Sequence, residues 1–166
     1  ETQCRGRGAA EVAGGKERNA ERDTAQEQQE KSVPPTWSGF EVSPLVDEEY
    51  FHRLLDDLGR ARQSIDVLMF EIKLGKSANN PANQLAAGLI SAKERGVSVR
   101  VRLEQSEMDK SLTRSNRKAA EFLKAGGIHA EFDLPTVETH AKAILIDGRI
   151  LYVGNHNWSA SALIKN

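Results

Sequence analysis

Residues 140–157 read HAKAILIDGRILYVGNHN, and this stretch decides which fold the sequence predicts. Two apolar, β-prone runs, 143–146 and 150–153, flank the polar triplet 147–149, a pattern that is typical of a β-hairpin. Residues equidistant from such a turn face each other, so Asn157 is expected to come close to His140. Side chains alternate along a strand, so His140 and Lys142 project from the same face. An imidazole, an ammonium and a carboxamide thus converge, which predicts an anion site that contains a nucleophile.

Simpler interpretations exist for each of these residues. A histidine near a strand start is usually a surface or packing residue, as we expect for His52, His129 and His156. His140 differs because Lys142 shares its face. Lys142 by itself would be a solvent-exposed lysine, but the apolar run that follows it predicts a half-buried position. Since a buried, unpaired ammonium is costly, an anionic ligand is the simplest explanation for it.

The other two candidates have structural alternatives as well. Asp147 precedes Gly148, and Asp-Gly is a strong hairpin signal, so a role in the turn is expected more than a role in catalysis. Asn157 could cap a final helix that begins near Ser159, and it could do so while binding phosphate.

A long, ungapped pattern connects these residues: His140-x-Lys142-x4-Asp147-x6-Gly154-x-x-Asn157. It resembles the HKD signature of the phospholipase D superfamily, which includes phospholipases, phosphatidyl transferases, small endonucleases and a cardiolipin hydrolase. The order of elements resembles the family from about Leu45 to the end of the chain. Two features depart from the family pattern. Asn155 stands where Ser is usual. The family usually has a Glu about ten residues beyond the motif Asn, and that position lies past Asn166.

The resemblance implies a metal-independent phosphodiesterase with no cofactor. In such an enzyme His140 attacks phosphorus to give a phosphohistidine, and the His of a second motif protonates the leaving oxygen. Lys142 and Asn157, with Asn155 as a further phosphate-binding candidate, hold the phosphate oxygens; Asp147 completes the motif. One motif supplies half a site, so the resemblance implies either a homodimer or a second motif domain.

Periodicity along the chain predicts the rest of the fold. Helical patterns over 47–62, from Asn80 to Arg95 and over 113–125 alternate with strand patterns over 65–70, 97–103 and 128–132. Helices between successive strands imply parallel crossovers, whereas the hairpin adds an antiparallel pair. We therefore expect an α/β fold with a mixed, largely parallel β-sheet flanked by helices, phospholipase D-like, with the motif on the hairpin.

Composition sets the boundaries of the domain. Residues 1–36 contain two large aliphatic residues, Val12 and Val33, so we expect a disordered polar tail and linker followed by a catalytic domain over 37–166, truncated at its C-terminus. The single cysteine, Cys4, allows no internal disulfide and supports no metal cluster. No apolar run is long enough for a transmembrane segment. These features favour a soluble, cytoplasmic protein and leave an upstream targeting segment open.

Charge does not decide the substrate. From Trp37 onward, 17 Lys and Arg residues balance 17 Asp and Glu residues, and the stretch 93–124 has nine basic against five acidic residues. Such a modest patch is more typical of a solvated helix surface than of a nucleic-acid site. Phospholipid and nucleic acid both remain candidate substrates. A phosphatidyl transferase and a catalytically inactive, phosphate-binding or interaction scaffold remain the alternative functions.

Overall fold

The computed structural model of this chain describes residues 39, 41–46, 48–134, 136 and 138–164. The tail expected over 1–36, and the expected first folded residues Trp37 and Phe40, lie outside these residues. The chain divides into two units, 1–42 and 43–166. The second unit holds every helix and strand described below.

Four helices and five strands follow one another along this unit. In chain order they are α1 (Glu48–Arg60), β1 (Ser64–Met69), α2 (Pro81–Glu94), β2 (Ser98–Leu103), α3 (Lys110–Ala125), β3 (Ala130–Phe132), β4 (Lys142–Ile146), β5 (Ile150–Val153) and α4 (Ala160–Ile164). The order of strands in the sheet is β3-β2-β1-β4-β5. β1 pairs in parallel with β2, and β2 with β3, whereas β4 is antiparallel to both β1 and β5. β4 alone among the five runs against the others, which confirms the mixed, largely parallel sheet.

The helices form one layer over one face of the sheet. α2 contacts α1, α3 and α4, and α1 also contacts α4. The core lies between this layer and the sheet, and its fully buried members include Leu54, Leu85, Leu89 and Ile144. β2 shows the division between the two faces most clearly, because Val99, Val101 and Leu103 are buried while the residues between them are exposed. This alternation is the period-two pattern that the sequence predicted.

Local signals explain where the helices begin. The side chain of Asn80 accepts a hydrogen bond from the backbone N–H of Ala82, and Pro81 occupies the first helical position of α2. α3 begins at Lys110, three residues before the expected Thr113, because the Asp109 carboxylate caps the N–H groups of Ser111 and Leu112. α4 begins at Ala160, and its cap is Ser159, whose hydroxyl accepts from the N–H of Ala162. Asn157 lies two residues earlier and is not the cap.

No helix in the described part of the chain is long and apolar enough to cross a membrane.

Candidate active site

The candidate site lies at the sheet edge where β1 ends and β4 begins. Met69, the last residue of β1, pairs with Lys142, the first residue of β4. The pairing continues past both strands, because the N–H of Phe70 donates to the carbonyl of Ala141 at 2.9 Å. β5 ends at the same edge, where the N–H of Gly154 donates to the carbonyl of Lys142 at 3.2 Å. The hairpin therefore brings Gly154 beside Lys142.

Lys142 is a buried cation. The residue is 7% exposed, and its Nζ donates to the carbonyl oxygen of His140 at 2.9 Å. The same ammonium lies 4.7 Å from the centre of the Phe70 ring, a cation–π contact. No carboxylate of the described residues pairs with it. Burial lowers the pKa of Lys142, and an anion bound beside it would offset that cost.

His140 is exposed, and its ring packs edge-on against Phe70 with a centroid distance of 4.3 Å and an interplanar angle of 87°. Phe70 therefore contacts both the imidazole and the ammonium. The residue before His140 is also held, because the N–H of Thr139 donates to the carboxyl group of Glu104 at 2.6 Å. The structure thus places His140 and Lys142 together, with the imidazole accessible and the ammonium buried behind it.

The extension of β1 beyond Met69 anchors the segment that contains Asn157. The N–H of Trp158 donates to the carbonyl of Glu71 at 2.9 Å, and the N–H of Lys73 donates to the carbonyl of Trp158 at 2.7 Å. Trp158 is fully buried in the core. Asn157 is half-buried, and its side-chain oxygen Oδ1 is buried without a hydrogen-bond partner among the described residues. Its amide group therefore has hydrogen-bonding capacity that the described part of the fold does not use. Asn155 is exposed.

A histidine outside the motif pair helps to fix this segment. The ring of His156 stacks on Tyr50 of α1 at a centroid distance of 4.7 Å, with the planes 8° apart. Tyr50 in turn meets the edge of the Tyr152 ring, whose hydroxyl donates to the buried carboxylate of Asp57. Burial raises the pKa of Tyr50 to about 12, so this phenol is neutral at physiological pH. His156 is a packing residue, as the sequence suggested.

Asp147 lies at the other end of β4. It is five positions from Lys142, which is roughly 16 Å along an extended strand. Its carboxylate accepts from the N–H groups of Arg62, Gln63 and Ser64, and its own N–H donates to the carbonyl of Ser64. Asp147 adopts a left-handed conformation with φ of 53° in the turn. The structure therefore does not bring this motif residue to His140 and Lys142, and instead uses it to join the hairpin turn to the start of β1.

Three residues near the pair have no role predicted by the sequence pattern. The pattern places Phe70 only at the end of a strand, and its contacts with His140 and Lys142 depend on β4 lying beside β1. Glu104 follows β2 and is buried, although a Glu after an alternating strand is usually solvated. Asn116 lies on the buried stripe of α3 with Leu112, Ala119 and Leu123. A polar residue in an apolar helical stripe was the signal that could have indicated it.

Six of the nine basic residues between 93 and 124 fall into two groups. Arg100 and Arg102 form ion pairs with Asp66 and Glu131 on the exposed side of the sheet. Lys110, Arg114, Arg117 and Lys118 line a surface groove along α3, together with Glu107 and Glu121. Among the described residues, no three His, Cys, Asp or Glu side chains are grouped as metal ligands would be.

Comparison with known proteins identifies the family. Residues 54–166 match the family described as cardiolipin synthase, PLD-like domain. The chain therefore belongs to the phospholipase D-like family, as the HKD pattern predicted.

Individual relatives agree with this assignment. The chain is 28% identical to mitochondrial cardiolipin hydrolase of Mus musculus over 138 residues, which are 83% of this chain and 57% of that protein. The corresponding protein of Danio rerio is 32% identical over 117 residues, which are 70% of this chain and 46% of that protein. The chain thus spans about half the length of the curated relatives it matches.

Two solved structures share the fold. The phospholipase D family member Nuc from Salmonella typhimurium superposes with a TM-score of 0.55 at 22% identity, covering 69% of this chain and 68% of that chain. NucT from Helicobacter pylori superposes with a TM-score of 0.52 at 18% identity, covering 69% of this chain and 70% of that chain.

Proposed function

We propose that this domain is a phosphodiesterase that hydrolyses phosphodiester bonds through a phosphohistidine intermediate, without a metal ion. The observation that carries the proposal is the pairing of an exposed imidazole, His140, with a buried ammonium, Lys142, around Phe70. Family membership and the relatives named cardiolipin hydrolase support the same class of reaction.

The first step forms one bond and breaks another. A neutral ring nitrogen of His140 attacks phosphorus, and the bond from phosphorus to the leaving oxygen breaks. The histidine of a second motif, from a partner copy or another domain, protonates that oxygen. The reaction needs one imidazole as the neutral nucleophile and the other as the proton donor, and histidine side chains serve in both roles in acid–base catalysis. In the second step, water gives up a proton to the second histidine and displaces His140 from phosphorus.

Lys142 and Asn157 stabilise the charge that develops on the phosphate oxygens. An ammonium that the fold has already removed from water needs little reorganisation when that charge appears, which makes its interaction with the transition state strong. Asn157 contributes its amide group, and Asn155 is a further contact at the exposed rim. A lysine cation in this position does the work that a metal ion does in other phosphodiesterases.

The substrate is a phosphodiester of either a phospholipid or a nucleic acid. The cardiolipin hydrolase relatives favour a lipid. The groove of Lys110, Arg114, Arg117 and Lys118 is the feature that favours a nucleic acid, because its four cations have no ion-pair partner among the described residues. Parallel assays on phosphatidylcholine, cardiolipin and single-stranded DNA separate the two classes.

The first experiment is turnover of bis(p-nitrophenyl) phosphate in excess EDTA. We expect turnover by the wild-type protein, none by His140→Ala and wild-type turnover by the matched control His129→Ala, which removes another exposed histidine. Samples quenched with denaturant at alkaline pH, where the phosphorus–nitrogen bond of a phosphohistidine is stable, should contain p-nitrophenyl phosphate bound to protein in the wild type and in His129→Ala but not in His140→Ala. His140→Ala should stay folded in circular dichroism, because the side chain it removes is exposed. Phosphate binding without turnover would contradict the proposal and would favour the inactive scaffold.

A further inference from the structure

We infer that Glu104 and Asn116 form a buried polar frame that holds His140 and Phe70 in position. Glu104 and Asn116 are therefore positioning residues for the reaction. The inference rests on the proposed function for its kinetic consequence and on hydrogen bonds for its structural content. Neither residue belongs to the HKD pattern.

Asn116 bridges the ends of β1 and β2. Its side chain is fully buried on α3; Oδ1 accepts from the N–H of Ile72 at 2.8 Å, and Nδ2 donates to the carbonyls of Phe70 at 2.7 Å and Glu104 at 2.8 Å. These three backbone groups lie beyond the last residues of β1 and β2, where the strand ladder no longer satisfies them. A buried amide is stabilising only when its own polar atoms are paired. Asn116 therefore specifies one conformation of the segment that carries Phe70.

Glu104 connects this bridge to the catalytic histidine. The residue is 2% exposed, and its Oε2 accepts a hydrogen bond from the N–H of Thr139 at 2.6 Å. On the other side of His140, the carbonyl of Ala141 accepts from the N–H of Phe70 at 2.9 Å. The backbone of His140 is therefore held on both sides, before it by Glu104 and after it by Phe70. Asn116 bonds to the backbone of both of these anchors.

This arrangement matters because the orientation of a nucleophile controls the rate. A displacement of about 1 Å from the attacking geometry can cost roughly 100-fold in rate. Releasing the N–H of Thr139 frees the loop that ends at His140 but leaves Lys142 in β4 and Asn157 beside Trp158. The resulting defect should appear in kcat and not in binding of the phosphate group.

A matched pair of substitutions at Glu104 tests the idea. Glu104→Gln keeps an oxygen that can accept the N–H of Thr139, whereas Glu104→Met keeps the length of the side chain and removes the acceptor. We expect Glu104→Met to lower kcat for bis(p-nitrophenyl) phosphate by roughly 10- to 100-fold. We expect the inhibition constant for inorganic phosphate to change less than about threefold, and Glu104→Gln to keep kcat within about threefold of wild type. The pH optimum should be the same in all three proteins.

A control for general destabilisation comes from the same helix. Ala119→Gly, on the buried face of α3, removes no polar contact and should lower the midpoint of thermal unfolding. Its kcat should equal that of the wild type at a temperature where all variants are folded. A loss of kcat in Ala119→Gly equal to that in Glu104→Met would overturn the inference. A Glu104→Gln variant with a kcat as low as that of Glu104→Met would also overturn the inference. In that case the rate would depend on the carboxyl group itself and not on an oxygen that accepts the N–H of Thr139.

A readout that does not depend on turnover keeps the inference separate from the proposed function. In amide hydrogen exchange followed by NMR, the N–H of Thr139 should be protected in wild type and in Glu104→Gln, and should lose at least about tenfold protection in Glu104→Met. The amide of Val101, inside β2, serves as the reference for global unfolding. If the wild type turned over no phosphodiester, the proposed function would fail, whereas equal protection of Thr139 in all three proteins would refute the frame itself.

Discussion

The Nζ atom of Lys142 lies 4.7 Å from the centre of the Phe70 ring. Lys142 is only 7% exposed. An aromatic face and one carbonyl oxygen are weak partners for a buried ammonium compared with water or a carboxylate. The fold therefore keeps this charge at a cost in stability. Such a cost is expected where a cation is held ready for an anion that arrives with the substrate.

Replacing Lys142 by an uncharged residue should raise the stability of the fold and lower the turnover. Lys142→Met keeps much of the side-chain volume and removes the buried charge, so we expect stability to rise by about 0.5–2 kcal/mol. Turnover should fall by roughly two to three orders of magnitude, the usual effect of losing one charge-stabilising group. Denaturant titration and bis(p-nitrophenyl) phosphate assays measure the two effects. A Lys142→Met protein that is less stable than wild type would show that the ammonium contributes to the fold.

Anion binding should weaken at alkaline pH because burial lowers the pKa of Lys142. Only the protonated amine attracts phosphate, so the inhibition constant for inorganic phosphate should rise as the pH passes through this lowered pKa, below the ordinary value of about 10.4. Between the two values the unfolded chain binds more protons than the folded one, so stability should rise with pH over the same window. Both trends should be absent in Lys142→Met. A phosphate affinity in the wild type that is constant up to pH 10 would contradict this prediction.

The two motif asparagines should differ in importance. Asn157 is half-buried beside Trp158, and its substitution by Ala should lower turnover by roughly two to three orders of magnitude. Asn155 is exposed, so Asn155→Ala should raise KM by several-fold at most, and Asn155→Ser should keep the wild-type activity. Steady-state kinetics on the three variants measures these differences. Equal losses at both positions would mean that the exposed rim contacts the phosphate as closely as Asn157 does.

Asp147 should contribute to stability and not to chemistry. The hydrogen bond from the N–H of Gln63 is the main cause that holds the pKa of Asp147 below its usual range, with further bonds from Ser64 and Arg62. A lowered carboxyl pKa adds stability that is present above the unfolded value of about 3.9 and is lost as the pH falls through the folded value. We expect Asp147→Ala to lower stability by about 1–2 kcal/mol at pH 7 and to leave kcat within about threefold. The stability difference between the two proteins should shrink below about pH 4. A loss of kcat as large as that of Lys142→Met would place Asp147 in the reaction.

The complete site should need two motifs, and for this chain alone that means a homodimer. Attack on phosphorus and protonation of the leaving oxygen occur on opposite sides of the phosphate, so one imidazole cannot perform both. A two-fold axis through the phosphate position supplies the second His140. Sedimentation velocity should find a dimer at assay concentrations. Mixing His140→Ala chains with Lys142→Ala chains should restore little activity, because no mixed dimer has two intact motifs. A fully active monomer would overturn the shared site.

Patterns within short stretches of the chain predicted most of the elements. The triplet 147–149 between two apolar runs indicated the β4–β5 hairpin, and its register follows from the turn. Asn80-Pro81 indicated the start of α2 for a local reason, since the cap and the first helical residue are adjacent in sequence. The start of α3 was misplaced by three residues, because a cap at Asp109 competes with other polar residues nearby that could equally begin a helix.

The sequence by itself determined the motif, the hairpin that presents it and the alternation of helices and strands, because these depend on residues within about twenty positions of one another. Only the tertiary structure decided which side chains surround His140. Phe70 contacts its ring, Glu104 accepts from the N–H of the preceding Thr139, and Asn116 donates to the carbonyls of Phe70 and Glu104. These contacts exist because β4 pairs with β1 and α3 packs behind the ends of β1 and β2. Phe70 and His140 are 70 positions apart along the chain, and Glu104 and Thr139 are 35 positions apart. Hydrogen bonds and burial over such separations depend on the packed core as a whole, so no local pattern in the sequence specifies them.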